Sequence, residues 1–153
     1  MARLHKKILK ILKAPILFSI GGAVYMLMEL IWRGHSHIAM FVVGGIAFLC
    51  IGRINEYLPW DLSFWIQCLA GDAIILILEF VSGCILNLWL QLNIWDYSNL
   101  PLNILGQVCL PFAALWYFAA AFAIVADDYL RYWLFREERP RYNFKLTRAT
   151  KRR

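Results

Sequence analysis

Four apolar runs dominate this sequence, each long enough to cross a bilayer. They lie at about 14–32, 38–57, 64–90 and 102–126. A membrane helix needs about 20 mainly apolar residues, because the hydrocarbon layer is about 30 Å thick and each residue advances about 1.5 Å. Only helices and closed barrels satisfy their backbone groups in lipid. Runs of this length therefore predict an all-α, polytopic membrane protein with a four-helix transmembrane bundle. Composition agrees: the chain is 61% apolar and only 17% charged, too apolar and too weakly charged for an ordinary soluble domain.

The basic residues are concentrated at the ends. Of 16 Lys and Arg residues, five fall in the first 13 positions (Arg3, Lys6, Lys7, Lys10 and Lys13) and nine lie from Arg131 onward, with only Arg33 and Arg53 between. Basic flanks around apolar spans mark cytoplasmic ends facing anionic lipid. The reading is thus a multi-pass cell-membrane protein with both termini cytoplasmic, which requires an even number of spans. The expected partner is the bilayer, not nucleic acid.

Residues 1–13 form a basic amphipathic segment, with Leu4, Ile8, Ile11 and Leu12 on one side. Residues 14–133 form the transmembrane domain, and 134–153 a basic cytoplasmic tail, flexible from Glu137 onward and barred from helix by Pro140. The run from Ala14 to Trp32 exceeds a signal-peptide core and no small-x-small cleavage site follows it, so it reads as a retained first helix. The third run is long and is expected to tilt, to kink near Gly71 or Gly83, or to begin as an interfacial helix at Trp60–Trp65. Cys50, Cys68, Cys84 and Cys109 sit singly in apolar stretches, without CxxC spacing, and read as buried thiols.

Ionisable groups in a span are costly and point to function by default. Glu29 and Arg33 are spaced for a helical ion pair. Asp72 and Glu79, seven residues apart, share one face of span three. Either they pair with Arg33 or Arg53, or they handle protons or cations. Asn103 and Gln107 lie one turn apart in the predicted fourth span, with Pro111 expected to kink it. Sorting by depth puts Glu29, Arg33, His35, His37, Glu79, Asn103 and Gln107 in the outer half, beside loop residues Asp96 and Asn99, with Asp72 deeper. These ten residues are the candidate polar site. His35-x-His37 is too sparse to define a metal centre. No cofactor, hydrolase or P-loop motif occurs, so the chain has no Walker ATPase of its own.

Three segments, MELIWRGHSHIAMFVVGGIAFLCIGRINE (28–56), NIWDYSNLPLNILGQVCLPF (93–112) and DDYLRYWLFREERP (127–140), resemble the family called Putative ABC-transporter type IV. The resemblance rests on Arg33 to His37, Asn55, Glu56, Trp95 to Asn99, Pro101, Asn103, Gly106 and Gln107. It implies a membrane component of a transporter and brings no ligand role to any of these positions. The leading expectation is a transport-related membrane subunit or small permease with a polar site near the outer face, acting as a homo-oligomer or beside a partner subunit. The alternatives are a lipid-binding protein or enzyme that works on a headgroup, and a non-catalytic accessory or scaffold protein.

Overall fold

A computed structural model describes residues 2–145, with side chains from residue 11 onward. The apolar face expected from Leu4 and Ile8, and the basic stretch from 146 to 153, lie outside the described residues. The elements are α1 (Ala2–Arg33), α2 (Ile38–Ile51), α3 (Ile54–Tyr57), α4 (Phe64–Gly83), a π-helical segment (Cys84–Trp89) and α5 (Leu110–Phe135). No strand occurs among the described residues. Four helical stretches are long and apolar enough to span a membrane: Ile11–Arg33, Ile38–Tyr57, Phe64–Trp89 and Leu110–Phe135. The chain is therefore a multi-pass, all-α membrane protein.

The N-terminal segment and the first span form one continuous helix, so no break occurs near residue 13. Pro15 lies inside it, and Ser19 Oγ donates to the Pro15 carbonyl at 2.8 Å. Gly34, at φ +74°, ends α1 by donating its N–H to the Leu30 carbonyl at 3.0 Å, the left-handed cap that glycine adopts without strain. The His37 side chain then accepts from Ala39 N and starts α2.

Helix α1 packs along α2, and α4 along α5; α1 and α5 touch little. Small residues permit the first pairing: a Cβ on Gly21 would lie 2.2 Å from Phe48 Cβ, and one on Gly44 would lie 2.4 Å from Tyr25 Cβ. Close backbone approach replaces the hydrophobic drive that lipid removes. Ile51, Ile54, Phe64, Cys68, Ile75, Trp116, Ala120 and Ile124 form the buried core. Of the four cysteines, Cys68 and Cys109 are buried, but Cys50 is exposed and Cys84 half-buried.

Two boundaries differ from the sequence reading. The fourth span begins at Leu110 and continues to Phe135, beyond the expected 102–126. Leu102 and Leu105 have φ +51° and +52°, and Gly106 has φ +68°, so residues 102–109 are loop. Pro111 sits in the first turn of α5 and kinks nothing, since its missing N–H would be unpaired there in any case. At the other end, residues up to 145 are docked against the bundle. Phe64 N donates to the Asn143 carbonyl at 2.7 Å, and the Phe64 and Tyr142 rings meet at 5.1 Å. The third span changes geometry after Gly83, where the helix widens into the π-helical turn.

Candidate functional site

The helix ends form two polar regions. One, the loop end, carries residues 34–37 and 90–109. The other, the tail end, carries the α2–α4 connection and the C-terminus of α5.

At the loop end, α4 directs Glu79 into the bundle, where it is 3% exposed. Its Oε2 accepts from Trp116 Nε1 of α5 at 2.7 Å, and its Oε1 from the Tyr97 hydroxyl at 3.1 Å. No salt bridge reaches it among the described residues. Tyr97 stacks on Phe112 at 4.5 Å, and Tyr25 on Trp116 at 5.8 Å. Burial, and then the proximity of Glu79, push the Tyr97 hydroxyl well above its ordinary pKa, so it stays a donor.

Glu29 and Arg33 form the ion pair that their spacing predicts. The other Glu29 oxygen accepts from Ser36 Oγ at 2.5 Å, and Arg33 Nη1 donates to the Ile94 carbonyl at 2.8 Å. Arg33 thereby clamps α1 to the long loop. Asp72 is half-buried on α4, and its Oδ1 is buried without a hydrogen bond. Neither Asp72 nor Glu79 pairs with Arg33 or Arg53.

Between α1 and α5 opens a cleft of about 360 Å³, lined by Tyr25, Met28, Glu29, Trp32, Arg33, Tyr97, Phe112 and Trp116 among others. A second cavity of about 300 Å³ continues along the same helices and shares Tyr25, Met28 and Trp116 with it.

The remaining candidates do other work. Asn103 Nδ2 donates to the Ser98 and Leu100 carbonyls, and its Oδ1 accepts from Gly106 N. Gln107 accepts from Asn87 Nδ2 and donates to the Leu105 carbonyl. Both belong to the loop scaffold, not to a helix face. Asp96 is exposed, and its Oδ1 accepts from Ser98 Oγ and Ser98 N, which hold its carboxyl below the usual range. Asn99, His35 and His37 are exposed. The His35 ring contacts the Arg33 carbonyl, and His37 caps α2. The candidate set thus separates into Glu29 and Arg33 in the cleft wall, Glu79 behind it, Asp72 apart on α4, loop pins at Asn103 and Gln107, and exposed loop residues.

Residues 9–139 match the family described as Putative ABC-transporter type IV. The chain belongs to that family. No curated protein and no solved structure matches it. The family match runs through all four spans and stops just short of Pro140.

It also takes in most of a tail-end network that the sequence reading missed. Arg131, on α5, pairs with Asp127 one turn earlier and with Glu56. Lys13 Nζ reaches Glu137 at 2.5 Å and Glu56 at 3.6 Å. Asp128 Oδ2 accepts from Asn55 Nδ2 at 2.6 Å and from the Tyr142 hydroxyl at 3.0 Å. Gly52 admits Asp127, since a Cβ there would lie 2.3 Å from its carboxyl. The network ties α1, α2, α3 and α5 together. The DDYLR spacing, with acid and base four residues apart, was its signal.

Proposed function

We propose that this member of the family is a transport-related membrane subunit whose substrate site is the loop-end cleft, with both tails cytoplasmic and the cleft toward the outer face. The observation that carries the reading is Glu79: a buried carboxyl group in a membrane-crossing helix with no cation beside it among the described residues. A group of this kind is expensive in lipid and is kept where its charge is used. A proton or a cation in passage would supply the compensation that the protein does not.

Family membership supports transport, and Asp72, deeper on the same helix, adds a second acid along α4. The apolar core around Ile51, Ile75, Ala120 and Ile124 lies between the two polar ends. That favours a subunit which works beside another copy or a partner over a self-contained pore. The headgroup reading has less support, because His35, His37 and Asp96 serve local caps and turns instead of converging with Arg33.

The test is flux. The full chain, purified in mild detergent with whatever subunits stay bound, is reconstituted into vesicles holding a pH-sensitive dye. A pH gradient should decay faster with wild type than with Glu79→Gln, and Asp72→Asn should fall between. Equal decay in wild type and Glu79→Gln, or none in either despite correct insertion, overturns the reading.

A further inference from the structure

The chemistry of the cleft wall identifies a class of ligand. Resting on the proposal above, we infer that the loop-end cleft binds a monovalent organic cation with an apolar body, admitted sideways from the bilayer between α1 and α5.

Three features converge on this class. The first is charge. Glu29 and Arg33 line the cleft, Glu79 stands directly behind its wall, hydrogen-bonded to the lining residues Trp116 and Tyr97, and Asp72 lies further along α4. Arg33 is committed to Glu29 and to the Ile94 carbonyl. Glu79 has only the neutral donors Trp116 and Tyr97, so in its ionised form it places a negative charge behind the cleft wall with no protein cation beside it among the described residues. An anion would meet that charge in a low-dielectric setting, whereas a cation would compensate it.

The second feature is the lining. Tyr25, Trp32, Tyr97, Phe112 and Trp116 give the cleft an aromatic wall. Aromatic rings attract cations that come within about 6 Å of the ring centre, and they do so best when the cation is poorly hydrated. A small inorganic ion would lose its water here and find few oxygens in return. An organic cation gives up little hydration and gains ring contacts.

The third is access. The cleft lies between α1 and α5, which touch little, and its continuation runs between them over α2. Met28, Ile31 and Trp32 at its edge are exposed on the membrane-crossing part of α1. A ligand dissolved in lipid therefore reaches the wall without crossing the loop. The combined space suits a small organic molecule.

The experiment uses two ions of nearly one shape and opposite charge, tetraphenylphosphonium and tetraphenylborate. The full chain is placed in phosphatidylcholine nanodiscs, and saturable binding is measured by tryptophan fluorescence after subtraction of empty discs. Tetraphenylphosphonium should bind saturably and at least tenfold more tightly than tetraphenylborate. Glu79→Gln should weaken it at least tenfold, and Tyr25→Leu should weaken it less. Equal binding of the two ions to wild type, or a Glu79→Gln affinity within twofold of wild type, overturns the inference. The first comparison needs no variant, so it holds even if Glu79→Gln fails to fold. Binding without flux would sink the transport reading and leave the ligand class standing; flux without phosphonium binding would do the reverse.

Discussion

At the residue scale, the same spacing rule gave different returns at the two ends of the bundle. Glu29 and Arg33 were legible as a pair because Glu29 falls inside an obvious apolar run and Arg33 directly follows it. Asp127 and Arg131 obey the same i,i+4 geometry, but they follow Ala126, where apolarity fades, and a hydropathy boundary cut them off. Their surroundings come from distant segments: Asp127 packs against Gly52, and Arg131 pairs with Glu56, 75 residues away in sequence, and no local pattern reveals that. The structure makes the pair consequential. Asp127 is wholly buried, and the Arg131 side chain is only 7% exposed. Removing one partner of a buried pair leaves an uncompensated charge, at a cost of about 3–5 kcal/mol. Arg131→Met should therefore lower stability by several kcal/mol, and adding Asp127→Asn should recover part of the loss. Lys13→Met is the contrast: its partners Glu56 and Glu137 are 47% and 39% exposed, so the change should stay within about 1 kcal/mol. Unfolding titrations in detergent, followed by tryptophan fluorescence, measure all three.

At the element scale, the fourth span shows where reading by apolarity stops. Leu102, Ile104, Leu105 and Val108 look like the start of a membrane helix. The backbone there instead turns through left-handed residues and is held by polar side chains. Ile104 N donates to the Val108 carbonyl, and Tyr97 N to the Gly106 carbonyl. Hydropathy averages over such residues and cannot register a turn. Asn103 and Gln107, read as a helical stripe, are in fact the groups that make the loop. Asn103 supplies three of its hydrogen bonds, each worth about 0.5–1.5 kcal/mol. Asn103→Ala should loosen residues 96–107 while the four spans persist. Hydrogen exchange should then speed up across that loop, with exchange in α4 and α5 below it little changed. Faster exchange throughout α5 would mean that Asn103 also supports the helix. Because Tyr97 belongs to this loop and donates to Glu79, the same variant should weaken phosphonium binding without touching the cleft.

At the scale of the whole molecule, the four-span architecture was the most legible feature, because length and apolarity decide it and tertiary contacts hardly enter. The site was legible only as a zone. Counting turns placed Glu79 and Arg33 at one level, but not the rings between them, since Tyr25, Tyr97 and Trp116 come from three separate segments. Orientation rests on charge asymmetry alone, and it decides which side of the membrane the cleft serves. His35 is exposed at the loop end and Arg141 at the tail end, so four spans put them on opposite sides. The native thiols provide a low background for labelling from water: Cys50, Cys68 and Cys84 lie within spans, and Cys109 is buried. In intact cells, a membrane-impermeant maleimide should label His35→Cys directly and Arg141→Cys only after permeabilisation. The reverse pattern would turn the molecule over, place the cleft on the cytoplasmic side and contradict the basic-flank argument. Labelling of both from outside would remove the even number of spans on which that argument depends.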